Sequence, residues 1–108
     1  MSTIKEIFEE KIPERIISNP QTAQKINAVY QFDITGNETG NWVVDLTKKE
    51  NWVSAGTTTT AQCTITISSD NFVNLYEKKL NAQMAFMSGK LKIKGDMSLA
   101  LKLGQIIG

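Results

Sequence analysis

The fold class is decided by a stretch in which a short helix, a strand and the start of another helix follow one another: Leu80-Asn-Ala-Gln-Met-Ala-Phe-Met-Ser-Gly-Lys-Leu-Lys-Ile-Lys-Gly-Asp96. Asn81 is a typical helix N-cap and Gly89 a typical helix end, so a helix is predicted between them. Leu91 and Ile93 then alternate with lysines, which predicts a strand with one apolar face. Asp96 is the predicted N-cap of a last helix. This order of elements indicates an α+β domain.

The preceding residues predict helices on both sides of a run of strands. A capping-box pattern from Thr3 to Glu6 starts an N-terminal helix, which Pro13 either kinks or divides. Alternation of apolar and polar residues predicts strands at 29–34, 42–46, around 52–53 and at 63–67. Their order favours a four-stranded antiparallel meander. The fifth strand, which arrives after two further helices, can cross over and pair in parallel.

The residue counts exclude several classes of function. The net charge is +1, from 12 basic and 11 acidic residues, which offers no clustered charge for nucleic acid. Histidine is absent, which removes Ser-His-Asp and Cys-His catalysis, and the single cysteine, Cys63, forms neither an intramolecular disulfide nor a zinc site. The acidic pairs Glu9–Glu10 and Asp45–Glu50 lie in polar surroundings that favour solvation over acid–base chemistry. We therefore expect a non-enzymatic protein with no metal or cofactor.

Targeting signals are equally sparse. The chain does not open with a signal-peptide pattern and holds no run of 18 apolar residues. Its last residues, Gln105-Ile-Ile-Gly108, differ from the Ser-Lys-Leu peroxisomal address. We expect a cytoplasmic protein rather than one of the peroxisomal matrix. The lysines at 90, 92 and 94 share one strand face, where we expect them to meet water and protect a sheet edge.

The last predicted helix, residues 97–107, has more apolar surface than one packing face requires. One stripe contains Met97, Ala100, Leu101, Gly104 and Ile107, and a second contains Leu99, Leu103 and Ile106. The second stripe needs a cover, which could be another helix, a partner chain or an apolar ligand. The flexible side chains of Met84-Ala-Phe-Met87 suit a surface that adapts to several ligands. Composition alone still favours ordinary core packing for both segments.

Four stretches, together with the one quoted first, resemble the sterol carrier protein 2 family over nearly the whole chain. They are Ile26-Asn-Ala-Val-Tyr-Gln-Phe-Asp-Ile34, Asn41-Trp-Val-Val-Asp-Leu46, Ala61-Gln-Cys-Thr-Ile-Thr-Ile-Ser68 and Met97-Ser-Leu-Ala-Leu-Lys-Leu103. The resemblance implies one domain over residues 1–108, with a five-stranded, mostly antiparallel sheet covered by about five helices. It also implies a hydrophobic tunnel that holds sterols, fatty acids or fatty acyl-CoA.

By this resemblance, the candidate lipid-binding residues come from the sheet and from three helices: Trp42, Val44, Phe72, Leu75, Met84, Met87, Leu99, Leu103 and Ile106. We predict a continuous apolar cavity between the sheet and the helices that contain Phe72 and Leu99. Residue parity places Trp42 on the inward face and leaves Trp52 more exposed. The helix from Met97 to Ile107 is the predicted movable wall. Ser88 stands where many members of the family carry glutamine, so one polar contact to a ligand is lost or shortened.

The predicted function is non-catalytic binding and transfer of lipids. The partners are a lipid or fatty acyl ligand and, transiently, a membrane, and the chain is expected to be a monomer that does not bind nucleic acid. The alternative is a protein-interaction or accessory module that docks on an enzyme of lipid or quinone metabolism.

Overall fold

The fold contains a single five-stranded sheet. The computed structural model describes residues 3–105 and 107, and of Leu103 only the backbone. The strands are β1 Val29–Thr35, β2 Gly40–Asp45, β3 Val53–Ala55, β4 Cys63–Ser68 and β5 Leu91–Gly95. They lie in the order β3-β2-β1-β4-β5. The predicted α+β class, with five strands and several helices, is confirmed.

The strand pairing differs from the predicted meander. β2 pairs antiparallel with β1 and with β3, and β5 pairs antiparallel with β4. β4, however, runs parallel to β1, with Phe32 opposite Ile65. The meander therefore ends at β3, and the parallel neighbours are β1 and β4. The prediction that the fifth strand can pair in parallel is wrong.

The connection between β3 and β4 crosses the sheet face opposite the helices, and Gln31 holds it there. The Gln31 side chain accepts a hydrogen bond from the Thr58 backbone at 2.9 Å and donates to the Gly56 carbonyl at 3.3 Å. Gln62 closes the connection, because its side chain accepts from Val29 at 3.0 Å. Gln31 is buried as a result, and its polar groups are satisfied. Sequence periodicity did not distinguish this crossing from a hairpin.

The N-terminal helical layer consists of α1 Ile4–Glu6, a π-helical turn Ile7–Lys11 and α2 Ile12–Ser18. The Thr3 hydroxyl accepts from the Glu6 backbone at 3.1 Å, so this half of the predicted capping box forms. The π turn lies just before Pro13, which occupies the first turn of α2 and cannot donate a backbone hydrogen bond. α3 Pro20–Ile26 follows and leads into the sheet.

Three further helices complete the cover: α4 Ser69–Tyr76, α5 Ala82–Met87 and α6 Met97–Lys102. Asn81 caps α5, as predicted, and Ser68 caps α4. α6 is shorter than the predicted helix of residues 97–107, because it tightens into a 3-10 turn at Leu103–Gln105. Gly104 lies in this turn, and glycine is less favourable than alanine in a helix by about 1 kcal/mol.

The core forms between these helices and the sheet face that carries Tyr30, Phe32 and Ile34, all of which are buried. Trp42 lies opposite Phe32 on the same face, so its predicted inward orientation is confirmed. Trp42 and Trp52 are both partly buried, so the predicted difference in exposure between them stays a prediction.

The predicted lysine edge is confirmed. β5 is an edge strand, and Lys92 and Lys94 are exposed on it, with Lys90 exposed just before it. Unpaired strand edges invite association, and lysines oppose it. Within residues 3–105 and 107, every helix is too short or too polar to cross a membrane.

Candidate functional site

A cavity of about 430 Å³ opens between the end of α4, the residues before α5, and α6. Its apolar walls include Leu75, Leu80 and Leu101. Lys78 and Gln83 supply polar groups to the same lining. Cavities that hold small ligands usually measure about 300–1,000 Å³ and combine apolar walls with a few polar groups.

A second, apolar cavity of about 30 Å³ adjoins the first and reaches the sheet. Ala82, Gln83 and Leu101 line both cavities. The smaller one ends against Ile65 and Ile93, on the inward face of β4 and β5. The two cavities are separate but neighbouring, and Ala82, Gln83 and Leu101 lie between the polar opening of one and the apolar interior that the other reaches.

Trp42, Val44 and Phe72 lie in the other half of the interior, which is filled. Phe8 stacks between Trp42 and Phe72, with ring centroids 5.0 Å away on each side. Phe32 meets both Phe8 and Phe72 edge to face, at 5.2 and 5.8 Å. Val44 is buried in the same core cluster. The structure brings Trp42 and Phe72 together in a packed aromatic cluster and buries Val44 in the core. None of the three lines either cavity.

The remaining candidate residues divide between the cavity and the surface. Leu75 lines the larger cavity, and Leu99 is buried beside it in α6. Met84 and Met87 are exposed on α5. The Leu103 side chain and Ile106 lie outside the described residues. The larger cavity contacts α4 through Leu75 and α6 through Leu101, but no strand residue lines it. The predicted continuous cavity between the sheet and the helices therefore stays a prediction.

Sequence reasoning missed Leu80, Gln83 and Leu101 as lining residues. Leu101 belongs to the first apolar stripe of the last helix, which had been interpreted as the core-facing stripe. Leu101 is exposed on α6, although it belongs to an apolar stripe. Leu80 and Gln83 flank the Asn81 cap, and their cavity position depends on how α4 and α5 are joined in space.

A buried hydrogen bond fastens α6 to the sheet. The Tyr30 hydroxyl donates to the Leu99 carbonyl at 2.6 Å. Burial raises the pKa of Tyr30 above its ordinary value, and negative charge at Cys63 and Asp96 acts in the same direction. Burial also raises the pKa of the Cys63 thiol, to about 11, so the thiol stays protonated and behaves as an apolar core group.

Asp96 begins α6 as predicted. Its carboxylate accepts from the Ser98 hydroxyl at 2.6 Å and from the Ser98 backbone at 2.9 Å. The pKa of Asp96 is lowered, first by the Ser98 side chain and then by the Ser98 backbone. At neutral pH the carboxylate is therefore ionised and bound to the start of the helix.

Ser88, which replaces the glutamine of many family members, turns its hydroxyl back to the helix. Its Oγ donates to the Ala85 carbonyl at 3.3 Å, at the end of α5. Ser88 is exposed and lies outside the lining of both cavities.

Two other clefts lie away from this interior. One, of about 510 Å³, lies between α3 and the residues around Lys48 and Trp52. The other, of about 530 Å³, lies on the outer sheet face among threonines, Gln31 and Lys94. Neither shares a lining residue with the small apolar cavity. In the part of the chain that the structure describes, no three acidic or cysteine side chains group as metal ligands.

The model of the SCP-2 sterol transfer family matches residues 8–108. The chain belongs to this family. Its fold agrees with sterol carrier protein 2 from Aedes aegypti in complex with palmitate, at a TM-score of 0.79 and 27% identity, covering 100% of this chain and 97% of that one. Palmitated SCP2L2 from Aedes aegypti gives a TM-score of 0.78 and 29% identity, covering 98% and 95%.

A curated relative places a similar domain within a larger protein. Hydroxysteroid dehydrogenase-like protein 2 of Xenopus laevis is 42% identical over 108 residues, which are 99% of this chain and 25% of that protein. The chain thus spans about a quarter of this relative. The family resemblance predicted from the sequence is confirmed. The other three quarters of this relative have no counterpart in the chain.

Proposed function

We propose that this domain binds one apolar lipid, a fatty acid, fatty acyl group or sterol, in the cavity between α4, α5 and α6 and transfers it without catalysing a reaction. The larger cavity, in which Leu75, Leu80 and Leu101 lie beside Lys78 and Gln83, carries the proposal. The small apolar cavity, which shares Gln83 and Leu101 with it, reaches Ile93 of the sheet. Two related solved structures, by their descriptions, hold palmitate or are palmitated. Fatty acids are therefore the first ligands to test.

The energetics of such a site favour an acyl chain. Transfer of each CH₂ from water to an apolar site contributes about 0.8 kcal/mol. A carboxylate headgroup can stay near Lys78 and Gln83 while the chain follows Leu75 and Leu101 inward. Desolvation of the acyl chain supplies the affinity, and the positive charge of Lys78 favours a negatively charged headgroup.

We further propose that α6 is the movable wall. α6 reaches the sheet through Leu99 and Ala100, and its outer side chain Leu101 lines both cavities. Movement of α6 away from β4 and β5 would join the small cavity to the large one. Leu75 and Leu101 then contact ligand directly. Trp42, Val44, Phe72 and Leu99 lie outside both linings, and Leu103 and Ile106 remain candidates from the sequence.

The test is a carboxylate placed in the shared lining, Leu101→Asp. Binding of a fluorescent fatty acid should weaken about tenfold or more, because an acyl chain would lie against an ionised group. The free energy of unfolding should change by less than about 1 kcal/mol, since Leu101 is exposed. Ile17→Asp is the matched control, because Ile17 is equally exposed on α2. Equal binding by the two variants would refute the proposed site.

The accessory-module alternative rests on the relative in which a similar domain forms a quarter of a dehydrogenase-like protein. Native mass spectrometry of the purified chain separates the two functions. A lipid adduct that is released by organic extraction supports the carrier. A bare chain that also fails to bind the fluorescent fatty acid favours a module that docks on an enzyme.

A further inference from the structure

Three of the chain's four methionines lie on α5 and α6: Met84, Met87 and Met97. They are 67%, 76% and 44% exposed. The thioether sulfur of methionine is polarisable and takes up oxygen from peroxides to form a sulfoxide, provided that the oxidant can reach it. These two helices therefore present oxidisable sulfur to solvent.

The sulfur of Cys63, in contrast, is protected from oxidation. Cys63 lies in β4 and is completely buried. Burial raises the pKa of its thiol to about 11, so the reactive thiolate is scarce at neutral pH. A peroxide should therefore react with the methionines of α5 and α6 before it reacts with the cysteine.

Met97 differs from Met84 and Met87 in its surroundings. It is the first residue of α6 and lines the small apolar cavity of about 30 Å³, together with Phe86 of α5 and Ile93 of β5. Met84 and Met87 line neither this cavity nor the larger one. Among the three, Met97 alone combines exposure to solvent with contact to the apolar interior.

A sulfoxide at Met97 would not suit the small cavity. Hydrogen peroxide transfers one oxygen atom to the sulfur: the O–O bond breaks, an S–O bond forms, the sulfur gives up two electrons, and the second oxygen leaves with both protons as water. Among the described residues of the cavity lining, Gln83 alone has a polar side chain. A polar group without a hydrogen-bond partner in apolar surroundings is unfavourable. The oxidised side chain would therefore turn outward to water and leave the cavity.

The position of Met97 connects this change to the attachment of α6. Two hydrogen bonds fasten the start of the helix: the Asp96 backbone donates to the Gln62 carbonyl at 2.9 Å, and the Tyr30 hydroxyl donates to the Leu99 carbonyl at 2.6 Å. Met97 lies between these two points and adds an apolar contact with the cavity. Oxidation removes the apolar contact but leaves both hydrogen bonds, so α6 should loosen without unfolding of the domain.

We propose that Met97 is a reversible oxidation site and that its sulfoxide lowers lipid loading by loosening α6 from the sheet. This inference rests on the proposed function, in which α6 is the movable wall of the lipid site. Methionine sulfoxide reductases, one for each sulfoxide epimer, restore the thioether. They take two electrons from a dithiol, which becomes a disulfide, and the sulfoxide oxygen leaves as water. An oxidising environment would thus lower the lipid content of the carrier, and reduction would restore it.

The oxidation test compares each protein with itself before and after treatment with hydrogen peroxide. Peptide mapping by mass spectrometry measures the sulfoxide at each methionine, and a fluorescent fatty acid measures binding. Treatment should weaken binding by the parent chain about tenfold. Met97→Leu should weaken less than about twofold on treatment, although it still carries Met84 and Met87. The Met84→Leu, Met87→Leu variant is the matched control, because it keeps Met97 and should respond to treatment as the parent does.

Reduction completes the test. Both classes of methionine sulfoxide reductase together should restore fatty acid binding by the treated parent chain. Equal losses in the parent and in Met97→Leu would overturn the proposal, and so would a peptide map in which Met97 stays unoxidised. A loss that the reductases do not reverse would also overturn it, since the loss would then come from another modification.

Amide exchange separates this inference from the proposed function, because it requires no lipid. Oxidation should quicken exchange in α6 of the parent chain and leave β1 unchanged, whereas α6 of Met97→Leu should not respond. A parent chain that binds no fatty acid before treatment refutes the carrier function, while quicker exchange in α6 would still support Met97 as the site that controls this helix. Unchanged exchange in α6 after oxidation of Met97 overturns the inference in either case and leaves the carrier function to its own test.

Discussion

The N-terminal helical layer and the region of α5, β5 and α6 use similar apolar residues in opposite ways. In the N-terminal layer, Ile4, Ile7, Phe8, Ile12 and Ile16 are all buried. In the C-terminal region, five large apolar side chains of α5 and α6 stay exposed beside a cavity: Met84, Phe86, Met87, Met97 and Leu101. The first layer also carries more carboxylates than basic groups, whereas the second region is basic. The difference shows that the N-terminal helical layer packs completely against the rest of the domain; we call it the filled half. The region of α5, β5 and α6, which we call the open half, leaves apolar side chains free to contact an apolar surface or ligand.

Length explains part of this contrast. The N-terminal helical segments run without interruption from Ile4 to Ser18, so their apolar stripe covers the sheet over several turns. α5 and α6 have six residues each, which is under two turns, and each covers less of the sheet than the N-terminal segments do. Their second apolar face has no partner within the described chain.

The largest expected effect tests the packing of the filled half. Phe8→Ala should lower the free energy of unfolding by about 3–5 kcal/mol, because it removes a ring stacked between Trp42 and Phe72. Phe86→Ala is the matched control in the open half, where the ring is partly exposed and should contribute about 1 kcal/mol or less. Urea unfolding measures both. Similar losses for the two variants would remove the contrast between the regions.

A smaller effect tests how firmly β5 is fixed beneath the open half. Gly95 has a φ of +103°, and a β-carbon there would collide with the Gln62 carbonyl oxygen. Gly95→Ala should therefore lower the free energy of unfolding by about 2–3 kcal/mol.

Gly89→Ala separates the collision from the backbone conformation. Gly89 also has a positive φ, of +79°, but a β-carbon there meets open space, so the loss should be about 1 kcal/mol. Equal losses, measured by urea unfolding, would mean that the contact with Gln62 relaxes freely and that β5 is not rigidly held.

Much of the fold could be predicted from local patterns. The alternation of Tyr30, Phe32 and Ile34 predicted both the strand and its inward face. Successive side chains of a strand point to opposite faces, so residues two positions apart share one face. The caps at Ser68 and Asn81 were also predictable, since they depend on hydrogen bonds three residues away. The parallel pairing of β1 with β4 was not, because the hydrogen bonds of Gln31 that hold the crossing connect residues 25 to 27 positions apart.

The site was predictable only in part, for a related reason. Apolar residues on short helices satisfy the same pattern whether they face a core, a cavity or solvent. Phe72 and Met87 were therefore given one role from the sequence, yet one lies in a packed aromatic cluster and the other is exposed. The volume between helices depends on where each helix ends. The sequence predicts the ends of helices less well than their existence, and α6 is an example because it ends at Lys102.

The smallest expected effect concerns the buried hydrogen bond that joins α6 to β1 of the sheet. Tyr30→Phe keeps the ring beside Phe32 but removes the bond to the Leu99 carbonyl. At neutral pH the free energy of unfolding should fall by about 1 kcal/mol. Amide exchange should quicken in α6 and stay unchanged in the N-terminal helical layer, because only α6 loses its tether. Tyr76→Phe is the control, since the Tyr76 ring packs against Arg15 at the surface of that layer.

The same variant has a distinct pH dependence. The folded-state pKa values of Tyr30 and Cys63 are both raised, so folding favours their protonated forms. Their contribution to stability is complete below the pKa values of the unfolded chain, near 9 and 10, and is lost as pH rises through the folded-state values. The parent chain should therefore lose stability above about pH 9, and Tyr30→Phe, which keeps only the thiol contribution, should lose it less steeply. Parallel alkaline curves for the two proteins, measured by urea unfolding from pH 7 to 11, would show that Tyr30 ionises as freely in the folded chain as in the unfolded one. A Tyr30 that ionised so freely could not be the buried donor that holds α6 against the sheet.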